Sequence, residues 1–105
     1  MIKVSILYPN KPGSHFDADY YLNTHMPLAN RLLGPAVRST FVEIGVSGAA
    51  PGQPPPYAAI GGFTFDSVQA FSSALMPHVA ELQGDIPNYT NIEPVIQISE
   101  IRLSQ

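Results

Sequence analysis

The apolar residues of this chain repeat every second residue in some segments and every three to four residues in others. The order of these segments strongly limits the fold. Alternating apolar residues, or runs of β-branched and aromatic residues, predict strands at residues 2–8, 37–46, 57–65 and 92–103. In the segments between the first and second strands and between the third and fourth, apolar residues are three and four positions apart, as in an amphipathic helix. The sequence therefore predicts the order βαββαβ.

The first predicted helix covers residues 17–33 and contains a proline. Asp17 can cap its first turn, and Gly34 with Pro35 ends it. Because Pro27 cannot donate a hydrogen bond to the carbonyl of Asn23, we expect the helix to bend or loosen there. Two rows of residues at helical spacing form one broad face that we expect to be buried. These residues are Tyr21, Leu22, His25, Met26, Leu28, Ala29, Leu32 and Leu33.

The second predicted helix repeats this design. Asp66 is the expected N-cap, with Gln69 completing a capping-box-like pair, and Pro77 interrupts the helix before residues 84–88 end it. Its buried stripe consists of Val68, Phe71, Leu75, Val79 and Leu82.

This order of elements is the ferredoxin-like plan, an α+β fold in which two helices cover one face of a four-stranded antiparallel sheet. The 105 residues form a single domain, 1–105. Only 12% of the residues are charged whereas 45% are hydrophobic, so we expect a second subunit to cover the other sheet face as a homodimer. Ile6 and Ile98 are candidate interface positions, although alternation alone does not say which face each occupies.

The composition also excludes several classes of function. The five basic residues are scattered and the net charge is −3, which argues against nucleic-acid binding. There is no cysteine for disulfides, thiolate chemistry or iron–sulfur sites, and no glycine-rich phosphate loop. The apolar runs are too short to cross a bilayer. We therefore expect a cytoplasmic protein that binds neither membrane nor nucleotide cofactor.

Three segments carry a resemblance to a known family: Tyr-Tyr-Leu-Asn-Thr-His-Met-Pro-Leu at 20–28, Asp-Ile-Pro-Asn-Tyr-Thr at 85–90 and Glu-Pro-Val-Ile-Gln-Ile-Ser-Glu at 93–100. Over essentially its whole length the sequence resembles the EthD-like family, named for an accessory protein of ethyl tert-butyl ether degradation. The resemblance implies a subunit of a dimeric α/β barrel. Related barrels include cofactor-independent monooxygenases, isomerases, cyclases and haem enzymes, so the fold does not choose an activity.

His25 is the leading catalytic candidate, because an imidazole can take or give a proton near neutral pH. Tyr21 lies one helical turn earlier and could share a cavity with it. The alternative is a core histidine bonded to a carbonyl that Pro27 leaves free. Candidate substrate-binding residues are His78, Asn88, Tyr89 and Gly61. At Gly61, either a helix packs closely or a ligand cavity opens.

Other titratable residues have simpler interpretations. A turn and a helix cap explain His15, Asp17 and Asp19, so we expect no metal site. His25 or His78 could ligate haem, yet nothing else marks a haem pocket, and we expect no cofactor. Glu81 and Asp85, four residues apart, are typical of a solvated helix end.

Three classes of function fit these observations. The first is a small enzyme of ether or aromatic catabolism, or of polyketide tailoring, that acts on an apolar oxygenated compound. Its chemistry would be proton transfer, or cofactor-independent oxidoreductase or isomerase chemistry, through His25. The second is a non-catalytic accessory or carrier protein that supports a partner oxygenase. The third is a structural role. A cavity between helices and sheet suits the first two equally.

Overall fold

The computed structural model describes all 105 residues and contains one antiparallel sheet of four strands. The strands are β1 (Ile2–Pro9), β2 (Ser39–Ile44), β3 (Tyr57–Phe65) and β4 (Val95–Glu100), in the spatial order β2-β3-β1-β4. Helix α1 (18–33) connects β1 to β2, and helix α2 (68–85) connects β3 to β4. The ferredoxin-like α+β arrangement predicted from the sequence is confirmed. Strands β2 and β4 are shorter than predicted.

Both helices pack against the same face of the sheet. Val4 of β1 and Phe63 of β3 line one cavity together with Leu33 of α1 and Phe71 of α2. Val4 and Phe63 are 2% and 3% exposed, so the core lies between the two central strands and the helices. Neither helix has the length and hydropathy of a membrane-spanning segment.

Helix α1 changes geometry immediately before Pro27. It starts as α-helix at Ala18–Tyr20, widens to a π-helical turn at Tyr21–His25 and returns to α-helix at Met26–Leu33. The side chain of Asp17 accepts a hydrogen bond from the Tyr20 amide at 3.0 Å, as a cap does. In the wide turn the Met26 amide donates to the carbonyl of Tyr21, five residues back. The loosening expected beside His25 therefore takes the form of a π-turn.

Helix α2 begins one residue later than the sequence analysis predicted. Its N-cap is Ser67, whose hydroxyl accepts a hydrogen bond from the Ala70 amide at 3.0 Å. The prediction that Asp66 is the cap was wrong, because this carboxylate forms two hydrogen bonds with Arg38, at 2.7 and 3.0 Å. A 3₁₀ turn at Met76–His78 surrounds Pro77, and α-helix resumes at Val79–Asp85.

The face of the sheet opposite the helices is open. Strand pairing places Val95, Leu7 and Ile60 in one row across β4, β1 and β3, and this row lies on the open face. Ile6 pairs with Gly61 and Ile96, and Ile98 pairs with Val4, so both isoleucines lie on the helix side. Their expected position on the open face was therefore wrong. Alternation did not settle the question, because β1 and β4 carry apolar residues on both faces.

Candidate functional site

A cavity of about 130 Å³ lies between the helices and the β1–β4 half of the sheet. Fourteen of its 17 lining residues are hydrophobic, and the other three are His25, Gln83 and Pro94. Ile96, also in the lining, is 60% exposed, so the cavity reaches the protein surface beside β4. An apolar cavity of about 150 Å³ accepts benzene, so this one has the size and character for a small, mostly apolar ring.

His25 is the only titratable side chain in this wall other than tyrosines. It is 7% exposed, and the π-turn of α1 holds it on the buried face of the helix. Its Nδ1 lies 2.8 Å from Oδ2 of Asp85, the last residue of α2. The pair therefore joins α1 to α2 at the rim of the cavity.

Asp85 is held by three side chains at once. Its Oδ1 accepts hydrogen bonds from the Tyr20 hydroxyl at 2.7 Å and from the Asn88 amide at 2.9 Å, and its Oδ2 meets His25. Burial alone would raise the pKa of Asp85, but the hydrogen bonds from Asn88, Tyr20 and His25 outweigh it and lower the pKa below its ordinary value. Asp85 is therefore a carboxylate at neutral pH.

This carboxylate determines which imidazole nitrogen is free. A carboxylate is only an acceptor, so Nδ1 of His25 carries the proton that it shares with Asp85. In the neutral ring, Nε2 then has an unshared electron pair, and it makes no hydrogen bond within the chain. The arrangement is that of an oriented general base: an acidic residue fixes the tautomer and stabilises the imidazolium that forms.

Besides His25 and Gln83, two tyrosines carry polar atoms among the residues of the cavity wall. The hydroxyl oxygens of Tyr8 and Tyr89 lie 2.7 Å apart, and each residue is only 1% exposed. Burial raises the pKa of Tyr8 and that of Tyr89 well above the ordinary value for tyrosine, so both hydroxyls stay protonated. The ring centroid of Tyr89 is 4.6 Å from that of His25. The tyrosine pair and the imidazole therefore occupy the same region of the wall.

The loop that carries Tyr89 is tied to the start of α1. The Asp17 amide donates to the Tyr89 carbonyl at 2.8 Å, and the Thr90 hydroxyl donates to the His15 carbonyl at 2.6 Å. Phe16 pairs with Thr90 in an isolated β-bridge, and its ring centroid lies 5.5 Å from that of Tyr89. These contacts fix Tyr89 against α1, which also carries His25.

Tyr21 and Gly61 lie behind the site rather than in the cavity wall. The Tyr21 ring stacks on His25 with centroids 5.6 Å apart and planes 14° apart. Its hydroxyl points away, into the space that a Cβ at Gly61 would fill, and it has no hydrogen-bond partner. Of the two interpretations of Gly61, the structure shows close packing of a helix side chain. Tyr21 supports the imidazole ring from one side.

The remaining candidates divide between the site and its surroundings. Tyr89 lines the cavity, whereas Asn88 lies outside it and contacts Asp85. His78 is half-buried in the 3₁₀ turn of α2 and does not line the cavity. No cluster of three or more histidine, aspartate or glutamate side chains is arranged to hold a metal ion.

Three residues of the site, Asp85, Tyr20 and Tyr8, were not predicted as site residues. The spacing of Glu81 and Asp85 predicted a solvated helix end, but the Asp85 side chain is 13% exposed and hydrogen-bonded to His25. A signal was available, because Tyr20 and Asp85 lie in the same two segments that carry the family resemblance. Tyr8 had no such signal, since it continues the alternation of a strand.

Comparisons with known proteins give the following similarities. The sequence model of a family described as EthD domain matches residues 15–93. The crystal structure of an EthD-like protein from Ralstonia eutropha JMP134 has 44% sequence identity and a TM-score of 0.94, over 99% of this chain and 94% of that one. No curated protein matches the sequence.

Two more distant crystal structures share the fold. An ethyl tert-butyl ether degradation (EthD) family protein from Bacillus halodurans C-125 is 18% identical with a TM-score of 0.66, over 96% of this chain and 98% of that one. A protein from Arabidopsis thaliana is 17% identical with a TM-score of 0.69, over 100% and 99% of the two chains.

Proposed function

Because this chain belongs to the EthD domain family, we propose that it binds a small, largely apolar compound carrying oxygen and transfers a proton to or from it. We place this activity in the breakdown of small organic compounds, as the name of the family suggests. One observation carries the proposal: the imidazole of His25, hydrogen-bonded to Asp85 at 2.8 Å, forms part of the wall of an apolar cavity.

The proposed reaction uses His25 as the base. Nε2 accepts a proton from an acidic C–H or from a phenolic O–H of the bound compound. Asp85 stabilises the resulting imidazolium, because its carboxylate is already hydrogen-bonded to Nδ1. The apolar walls hold the compound by its hydrocarbon part and limit the access of water to the reacting atoms.

Hydrogen exchange into a simple ketone tests this activity. Acetophenone has an apolar ring and exchangeable methyl hydrogens, so the loss of its methyl signal in D₂O, followed by proton NMR, reports proton abstraction. We expect the wild-type protein to accelerate exchange and His25→Gln to abolish the acceleration, because glutamine cannot cycle a proton. His78→Gln, a histidine outside the cavity wall, is the matched control and should exchange acetophenone like wild type. Equal rates for wild type and His25→Gln would reject the proposal.

The second candidate is a non-catalytic carrier that binds such a compound and delivers it to a partner oxygenase. The predominance of hydrophobic residues in the cavity wall, 14 of 17, favours binding as much as it favours catalysis. The two candidates differ in the role of His25. A carrier binds acetophenone with an unchanged Kd after His25→Gln and never accelerates exchange, whereas the enzyme loses its exchange activity in that variant.

We also propose that the protein is a homodimer. On the open face of the sheet, Val95, Leu7 and Ile60 form an apolar row that ends at Glu43 on β2, and Phe41 lies in the next row. An apolar row on a sheet face that no helix of the same chain covers is typical of an association surface.

A further inference from the structure

The two tyrosines in the cavity wall hold more hydrogen-bonding capacity than they use. Each hydroxyl has one proton to donate, but the hydrogen bond between Tyr8 and Tyr89 uses only one of the two protons. Neither hydroxyl has any other hydrogen-bond partner in the chain. The Tyr21 hydroxyl lies close enough to that of Tyr8 to influence its pKa, but it brings a third proton of its own. Even were Tyr21 to donate to Tyr8 and Tyr8 to Tyr89, the O–H of Tyr89 would be left without an acceptor.

This donor lies beside the proposed base. Tyr8, Tyr89 and His25 all line the cavity, and the rings of Tyr89 and His25 are 4.6 Å apart. Leaving a buried hydroxyl donor without an acceptor is costly. The only other polar side chains of the wall are His25 and Gln83, and neither is hydrogen-bonded to the tyrosine pair. A molecule bound in the cavity can supply the missing acceptor atom. The ligand atoms bonded to that acceptor then lie close to the imidazole of His25.

From this geometry we propose that the Tyr8–Tyr89 pair binds the carbonyl oxygen of the substrate, which makes the substrate a small apolar carbonyl compound. The inference rests on the proposed function and narrows it.

The arrangement also defines the step that the site performs. Nε2 of His25 takes a proton from the carbon next to the carbonyl group, and the electron pair of that C–H bond forms a carbon–carbon double bond. The π electrons of the carbonyl group move to its oxygen, and the resulting enolate oxygen accepts the hydrogen bond from the tyrosine pair. Return of the proton from His25 to the same or another carbon restores the carbonyl group. The cycle consumes no oxidant or co-reactant.

The infrared spectrum of bound acetophenone tests the assignment directly. A hydrogen bond to the carbonyl oxygen lowers its stretching frequency, and ¹³C labelling of the carbonyl separates this band from the protein bands. We expect the wild-type complex to absorb at lower frequency than acetophenone in hexane. The double variant Tyr8→Phe/Tyr89→Phe should lose this shift and bind acetophenone about tenfold more weakly by NMR titration.

The double variant is preferred to either single one, because it removes both hydroxyls and leaves neither partner unpaired in the core. Tyr57→Phe is the matched control, since Tyr57 lies at the start of β3 and does not line the cavity. It should retain the shifted band. A band at the hexane frequency in the wild-type complex, or the same shift in the double variant, would overturn the assignment.

The two proposals fail in different ways. If wild type shifts the carbonyl band but does not accelerate hydrogen exchange, the oxygen site stands and the catalytic proposal fails. If wild type accelerates exchange without a shifted band, catalysis stands and the tyrosine pair is not the oxygen site. His25→Gln should keep the shifted band while losing exchange, because it leaves both tyrosine hydroxyls in place.

Discussion

At the scale of single residues, the geometry of His25 depends on Asp85, which lies 60 residues later in the chain. The carboxylate decides which nitrogen of the imidazole carries the proton, and Tyr20 and Asn88 in turn hold the carboxylate. Tyr21 contributes through its ring, because its hydroxyl is buried against Gly61 without a partner. Neighbouring tyrosines of one helix therefore have different contacts: Tyr20 hydrogen-bonds the carboxylate of Asp85, and Tyr21 packs against the imidazole of His25.

The contribution of Asp85 to stability should depend on pH. We expect Asp85→Asn to lower the free energy of unfolding at pH 7 by about 1–2 kcal/mol, because charge-assisted hydrogen bonds to His25 and Tyr20 are weakened. The folded-state pKa of Asp85 lies below its ordinary value of 3.8. Its contribution is therefore present above pH 3.8 and is lost as the pH falls through the folded-state pKa. Urea unfolding of wild type and variant across this range measures the difference.

Glu81→Gln is the control for this experiment, because Glu81 is exposed on α2 and makes none of these contacts. Its stability difference from wild type should be small at pH 7. A difference between wild type and Asp85→Asn that persists undiminished at pH 2 would contradict the role of the carboxylate.

At the scale of elements, Pro27 and Pro77 change the geometry of their helices without ending them. Pro27 follows a π-turn and Pro77 lies in a 3₁₀ turn, and in both cases α-helix continues afterwards. The missing amide hydrogen of proline removes one helical hydrogen bond, and the chain responds by changing its helical period locally. In α1 this wide turn contains both Tyr21 and His25 on its buried side.

The start of α2 provides a test of helix capping. We expect Ser67→Ala to lower the free energy of unfolding by about 1 kcal/mol, because the Ala70 amide loses the hydroxyl that accepts its hydrogen bond. Asp66→Ala should have a smaller effect, since its ion pair with Arg38 is exposed to solvent. Urea denaturation of both variants compares them. A larger loss for Asp66→Ala would show that Asp66 rather than Ser67 stabilises the helix start.

At the scale of the whole molecule, the two faces of the sheet have different roles. The helix side holds the core and the cavity, whereas the other side exposes the row Val95, Leu7 and Ile60. Val95 is 54% exposed. If a second copy covers this row, the surface of the proposed dimer is separate from the cavity mouth beside Ile96.

Charging the centre of the open face tests the proposed dimer. We expect Ile60→Glu to weaken dimerisation about a hundredfold or more, because an unpaired carboxylate would be buried between two sheets. Sedimentation velocity at micromolar concentrations should show a dimer for wild type and a monomer for the variant. Gln69→Glu adds the same charge on the exposed side of α2 and should stay dimeric. A wild-type protein that sediments as a monomer throughout this range would rule out the sheet-face dimer.

The sequence alone determined the order of elements, the start and end of α1 and the inward position of His25. These features depend on spacings within a few residues: Asp17 precedes the helix, Gly34 follows it, and the inward residues lie three and four positions apart. Leu22 is the exception, since it was predicted to point inward and is 44% exposed. The sequence did not identify the N-cap of α2, because Asp66 and Ser67 are adjacent and both side chains can accept the hydrogen bond of a helix cap.

Only the tertiary structure decided the composition of the site. The His25–Asp85 and Tyr8–Tyr89 pairs join residues 60 and 81 positions apart, and no local spacing indicates which distant side chains will meet. Folding brings them together because α1, the end of α2 and the loop before β4 converge on the β1 side of the sheet. Sequence spacing can show that a side chain points inward, but its partner depends on how the elements pack.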